Sequence, residues 1–190
     1  MLFDQNGNRK YLTSAERGAF IKAAERAEPE VETFCLTLAY TGARISEVLA
    51  LTPHKIDFMA QAIIIECLKK RKRGVYRVLP APTLLLNRLE SVHNISVRTE
   101  EPDNTRIWQW SRTTAWHRVK AVMQQCGIHS SRAMPKALRH AFGVEGIAMA
   151  QVPLNIMQKW LGHARIETTA IYANAMGQEE RAIAERMWKT

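Results

Sequence analysis

In the stretch WLGHARIETTAIYANA (residues 160–175), the pair Gly162-His163 is followed nine positions later by one tyrosine, Tyr172. A phenol held near an imidazole can serve as a nucleophile. Two other groupings bear on what it could attack. Arg44 and Glu47 in TGARISEVLAL are spaced i,i+3, so on a helix the carboxylate can fix the guanidinium and leave part of its fork free. In MPKALRHAFGV, Lys136, Arg139 and His140 share one helical face by i,i+3,i+4 spacing. Cations placed that way repel one another unless an anion lies between them. Phosphodiester cleavage uses these residue types: a nucleophile, cations around the two non-bridging oxygens, and an acid for the leaving oxygen. Arginine matches phosphate with paired hydrogen bonds, and lysine becomes an acid when other cations lower its pKa.

Each grouping also has a plain structural reading. Arg44–Glu47 is a common surface ion pair, and the Lys136 face is a solvated basic stripe. His163 caps the last carbonyls of a helix. Tyr172 is either a buried, hydrogen-bonded core residue or the exposed neighbour of a buried Ile171.

These residues need elements to hold them. Thr13-Ser14-Ala15-Glu16 has capping-box spacing and predicts a helix start. Pro29 opens a second helix running to Tyr40, Gly42 ends it, and Ile45, Val48 and Leu49 mark a short third helix stopped by Pro53. AIIIECL (62–68) and VYRVLP (75–80) read as two strands of a β-hairpin. The turn between them carries KKRKRG, and six of the nine residues 69–77 are Lys or Arg. Helical patterning returns over 82–92, 113–127 and 135–149, in PLNIMQKWLGH, and in a final amphipathic segment, QEERAIAERMWK. NISVRTEEPDNT reads as a polar, mobile connector. The fold class is mainly α with a small antiparallel β-hairpin or sheet (α+β), without repeats or a second domain.

Composition bounds the partners. Twenty-seven Lys and Arg against 18 Asp and Glu give a formal charge of +9, which favours an anionic partner such as nucleic acid. Cys35, Cys67 and Cys126 are odd in number and form no ligand motif, so no disulfide and no metal site is expected. Reduced core thiols and the lack of an apolar run of membrane-spanning length point to a cytoplasmic protein with no membrane partner.

Together, TGARISEVLAL, PKALRHAFG and WLGHARIETTAIYANA resemble, in order and spacing, the three signature boxes of the tyrosine recombinases, the phage integrase family. The resemblance spans residues 10–190 and implies the tyrosine recombinase catalytic-domain fold. By it, Arg44 is the first catalytic arginine and Glu47 its acidic support. Arg139 is the second arginine, His163 hydrogen-bonds the scissile phosphate, and Tyr172 is the nucleophile. His140 fits the family pattern as a supporting, structural residue. The family's catalytic lysine sits at a hairpin tip. Counting back from RVLP gives Lys72, with Lys70 sharing its strand facing. Lys69, Lys70, Arg71 and Arg73 are the implied DNA contacts.

The resemblance further implies a site-specific recombinase that cuts and rejoins double-stranded DNA through a 3′-phosphotyrosyl ester, without metal or nucleotide cofactor. Tetramers form on DNA, and a C-terminal helix (177–190) docks on a neighbour or on its own subunit, after a catalytic domain (13–176) and an N-terminal extension (1–12).

Two features depart from the pattern. Lys136 stands where the second box usually begins with a histidine that accepts the tyrosine's proton; as a catalytic residue it either takes that proton, if cation crowding leaves it neutral, or serves only as a cationic phosphate contact. About a dozen residues precede the first helix, where relatives carry a clamp domain, so the expectation is a bare catalytic domain with a salt-sensitive grip. Three other readings stay open: a cleavage-deficient DNA-binding accessory protein of the same fold, a type IB topoisomerase-like enzyme, and a helix-turn-helix regulator built on residues 153–172.

Overall fold

The computed structural model describes residues 2–3, 5–68, 74–100, 102, 104–129, 132–174, 181, 184–185 and 188. Its centre is helix α2 (Pro29–Thr41), buried along nearly its whole length. Thr33, Thr37 and Thr41 recur every fourth residue inside it. Each satisfies its buried hydroxyl by donating to a carbonyl one turn back: Thr33 to Pro29 (3.0 Å), Thr37 to Thr33 (2.7 Å) and Thr41 to Thr37 (2.6 Å). This self-satisfaction lets three polar residues sit in a core lined by Phe34, Leu38 and Trp108.

Helix α1 (Ser14–Ala24) starts at the capping box read from sequence. Thr13 Oγ1 accepts from the Glu16 amide, and the Glu16 carboxylate accepts from the Thr13 amide. It packs on α2 together with α4 (Thr83–His93) and α7 (Pro135–Val144). Helix α3 (Ile45–Leu49) ends at Ala50, before Pro53. Pro53 opens a 3₁₀ turn (Pro53–Lys55) and so does not stop the helix itself.

The sheet has three antiparallel strands in the order β1 (Ile56–Asp57), β2 (Ala62–Glu66), β3 (Tyr76–Pro80). The two-residue β1 is too short to leave an alternating pattern in the sequence. Ile63 faces Leu79 and Ile65 faces Arg77, all four buried, whereas Tyr76 and Val78 are about half exposed. The ladder continues toward the hairpin tip through Cys67 N–H to the Val75 carbonyl, at 2.8 Å. Lys69, Lys70, Arg71, Lys72 and Arg73 lie outside the described residues.

Within the stretch read as a polar, mobile connector, Ile95–Arg98 form a short helix, α5, whose Ile95 is fully buried. Helix α6 (Arg112–Gln125) follows, capped by the Ser111 hydroxyl. The helix expected over 135–149 is α7 as far as Val144, and Glu145–Met149 then form a π-helical turn.

Helix α8 (Leu154–Leu161) is closed by Gly162, and α9 (Glu167–Ala170) leads into a 3₁₀ turn (Ile171–Asn174). A second, smaller core gathers Leu2, Tyr11, Val144, Ala148, Met157, Leu161 and Tyr172. Residues of the expected N-terminal extension therefore pack beneath Tyr172. Of the expected C-terminal helix, Arg181, Ala184, Glu185 and Trp188 are described; Trp188 is exposed.

Candidate active site

The three sequence boxes meet through one side chain. Arg139, on the inward face of α7, is 6% exposed and donates to the Gly42 carbonyl (2.8 Å) and the Leu161 carbonyl. Both carbonyls lie at helix C-termini, those of α2 and α8, where the backbone dipole favours a cation. Gly42 takes φ +60°, and a Cβ there would come within 2.5 Å of the Phe142 ring on α7. Glycine is what lets α2 end against α7 with its carbonyl aimed at Arg139. Burial, then the charge of Arg44, lowers the Arg139 pKa to about 10, which leaves it charged at neutral pH.

Arg44 is the N-cap of α3. Its amide donates to Glu47 Oε2 (2.8 Å) and its Nη1 to Oε1 (2.7 Å). One carboxylate thus fixes both the backbone and the guanidinium. Among the described contacts Arg44 commits one of its five side-chain N–H donors there, and its side chain stays 26% exposed.

A third arginine, not singled out from the sequence, completes the pair. Arg77 on β3 donates from Nη2 to Glu47 Oε2 (2.7 Å), from Nε to the Trp160 carbonyl (2.7 Å) and from Nη1 to Cys67 Sγ (3.2 Å). Burial by itself raises the Glu47 carboxyl. The hydrogen bond and charge of Arg77, then those of Arg44, outweigh it and hold the pKa below its ordinary value. Arg44 and Arg77 thus share one carboxylate, and Arg139 lies near enough to feel the charges of all three, an excess of positive charge among the described residues that an anion would neutralise.

Lys136, Arg139 and His140 do share one face of α7, and their environments differ. Lys136 is exposed at the rim, while Arg139 and His140 are buried. His163, just past the Gly162 cap, places Nδ1 2.9 Å from the fully buried Thr169 hydroxyl. With that hydroxyl donating, the proton of a neutral ring sits on Nε2. Burial and the charges of Arg139 and Arg44 lower the His163 pKa to about 4.

Tyr172 is 1% exposed, and its partly buried neighbour Ile171 packs against the same small core. Its ring stacks on His163 (centroids 6.2 Å apart, 17° between planes). On the other side it lies against Gly143, where an added Cβ would fall 2.7 Å from the ring. Its hydroxyl is 3.1 Å from His140 Nδ1. Burial raises the phenol pKa, and Arg139 and Arg44 oppose that shift.

All six of Arg44, Lys136, Arg139, His140, His163 and Tyr172 line one cleft of about 590 Å³. Arg112 and Trp116, one turn apart on α6, line it too. Their i,i+4 spacing was the available sequence signal. Arg77 left a weaker trace, a charge at a strand position whose neighbours Tyr76 and Val78 suit burial better. The cleft pairs cations for an anion's oxygens with a phenol beside them. Among the described residues, no group of His, Cys, Asp and Glu could hold a metal ion, and no helix is long and apolar enough to cross a membrane.

The family model described as "Phage integrase family" matches residues 10–179. The chain belongs to the phage integrase family. Type 1 fimbriae regulatory protein FimB of Escherichia coli (strain K12) is 30% identical over 178 residues, 88% of this chain and 85% of FimB. Tyrosine recombinase XerD of Yersinia pestis is 29% identical over 151 residues, 77% of this chain and 50% of XerD. The chain therefore spans nearly all of one relative and about half of the other. Among solved structures, the XerA recombinase superposes with a TM-score of 0.77 at 22% identity, over 93% of this chain and 64% of that one. The fold is thus shared at 22% identity.

Proposed function

We propose that this phage integrase family member is a site-specific DNA recombinase that cuts and rejoins duplex DNA through Tyr172. The supporting observation is the convergence of Arg44, Arg139, His163 and Tyr172 on one cleft. Tyr172 Oη attacks the scissile phosphorus, a 3′-phosphotyrosyl ester forms, and a 5′-hydroxyl leaves. Arg44, Arg139 and Lys136 bind the non-bridging oxygens, and His163 donates from Nε2. Glu47 and Arg77 hold Arg44 in place. A hairpin lysine, Lys72 or Lys70, protonates the departing oxygen, and Lys69, Arg71 and Arg73 grip the flanking backbone. The 5′-hydroxyl of a partner strand reverses the step. The ester conserves the bond energy, so the reaction consumes no nucleotide, and the arginines supply the charge clamp.

Residues 13–176 form the catalytic unit. On paired sites four copies assemble, residues 177–190 of each docking on a neighbour, and the setting is the cytoplasm.

Incubation with a pool of randomised, nicked suicide duplexes, followed by denaturing gels and sequencing of trapped strands, tests the reading. A protein–DNA adduct formed by the native chain and lost in Tyr172→Phe is the expected result. Binding without adduct identifies a cleavage-deficient accessory protein. Relaxation of supercoiled DNA that has no partner site identifies a topoisomerase.

A further inference from the structure

We propose that His140, on the turn of α7 that follows Lys136, accepts the phenol proton of Tyr172 during strand cleavage. The inference rests on the recombinase reading above and assigns the proton acceptor that the lysine at 136 leaves open.

Geometry carries it. Among the described hydrogen bonds, the Tyr172 hydroxyl makes one, to His140 Nδ1 at 3.1 Å, within reach for direct proton transfer. Lys136 is exposed at the rim of the cleft, where water solvates an ammonium. An ammonium has three donors and no acceptor, so it can hold a phosphate oxygen and cannot take a proton. His163 is engaged differently: its Nδ1 faces Thr169, and its ring stacks flat on the tyrosine. Tyr172 is thus clamped between His163 and α7, its hydroxyl aimed at His140.

The state of His140 suits the task. The residue is 8% exposed, and its Nε2 is buried without a hydrogen-bond partner. Burial, then the charges of Lys136 and Arg139, keep the ring neutral, with a pKa of about 4. A neutral imidazole has one donor and one acceptor nitrogen. With the phenol donating to Nδ1, the ring proton is on Nε2. Lys136 and Arg139 would oppose a proton on this ring in the empty cleft. A phosphodiester monoanion bound between Arg44, Arg139 and Lys136 offsets that repulsion and makes the ring more basic when substrate is in place.

The step balances. The Oη–H proton passes to Nδ1, the Oη–P bond forms, the P–O5′ bond breaks, and the 5′-oxygen takes a proton from the hairpin lysine. In the reverse step His140 returns the proton to Oη.

The test uses the full chain and a nicked duplex recovered from the randomised pool. His140→Asn keeps a polar atom near Nδ1 and cannot carry the proton. Its single-turnover adduct formation should fall ~10²-fold or more with DNA affinity within about threefold. A 5′-bridging phosphorothiolate, whose leaving group needs no acid, should not restore it. Exogenous imidazole should restore part of the rate to His140→Ala. In the unsubstituted chain, ¹⁵N shifts of the ring should show Nδ1 bare and Nε2 protonated. Adduct formation by His140→Asn within about threefold of native, or a ring protonated on Nδ1, overturns the assignment. If the native chain forms no adduct on any duplex of the pool, the recombinase reading fails, and the ring-shift measurement still reports on the Tyr172–His140 bond.

Discussion

Two buried histidines, on two helices that both pack on α2, make an instructive pair. His93 on α4 is 7% exposed, bonds through Nε2 to the Thr33 hydroxyl (2.8 Å), and sits edge-on to Trp108. His140 on α7 is 8% exposed and faces Tyr172. Burial comes first among the causes that lower each pKa to about 4; Arg98 adds to it at His93, Lys136 and Arg139 at His140. By burial and titration the two are indistinguishable. What separates them is the company each keeps. His93 is enclosed by Thr33 and Trp108 with one cation, Arg98, acting on it, whereas His140 borders a cleft with several cations and a phenol. A perturbed pKa therefore marks a candidate site only when the surrounding charges are incomplete without a ligand.

The contrast can be attacked from the reactive side first. Tyr172→Phe removes the one nucleophile assigned to the cleft, and adduct formation on a trapped suicide duplex should drop at least ~10³-fold while the dissociation constant from DNA changes little. An adduct persisting in that variant would remove the cleft's claim to chemistry.

Arg139→Lys is the next largest change. An ammonium cannot span the Gly42 and Leu161 carbonyls and still present a planar fork to phosphate. A loss of ~10²–10³ in cleavage rate is expected, with a lower melting temperature because the three boxes lose their shared tie. Unaltered cleavage kinetics would show that Arg139 only holds the fold.

The same substitution at both histidines sharpens the comparison directly. His93→Phe should lower stability by about 1 kcal/mol through the lost Thr33 hydrogen bond, with adduct formation per folded molecule unchanged. His140→Phe should do the reverse, losing ~10²-fold in rate with a smaller change in melting temperature. Matching profiles for the two variants would erase the distinction drawn here.

A last test is in pH. His93, His140 and His163 titrate near 4 in the folded chain, against about 6.5 when unfolded. Between those values the unfolded chain binds more protons, so stability is complete above about pH 6.5 and declines as pH falls toward 4. Sulfate in the cleft should raise the NMR-titrated pKa of His140 and His163 by roughly half a unit or more and leave His93 in place. Equal shifts at all three would indicate general screening in place of a bound anion.

Much of this was legible in the residues. The capping box at Thr13, the positive-φ ends at Gly42 and Gly162, and Pro135 opening α7 are local signals, because each depends on backbone conformations only a few residues long. Motif spacing pointed to Arg44, Arg139, His163 and Tyr172, which line one cleft. It did not point to Arg77, which occupies the inward phase of a strand where alternation favours an apolar residue. Its burial makes sense only once Glu47 and the Trp160 carbonyl arrive from elsewhere. Ile95 likewise hid a short helix inside a segment of polar composition.

By itself the sequence determined the helix ends, the sheet-forming runs, the positive charge and the identities of the residues that could act on phosphate. Those follow from local backbone preference and side-chain chemistry, which need no distant partner. Tertiary structure alone decided that Arg139 ties two helix ends together, that Arg77 shares Glu47 with Arg44, and that the Tyr172 hydroxyl faces His140 and not Lys136. Buried charges and hydroxyls must find complementary groups when water is excluded. Which groups those are depends on segments as far apart as residues 42, 139 and 172 being packed together.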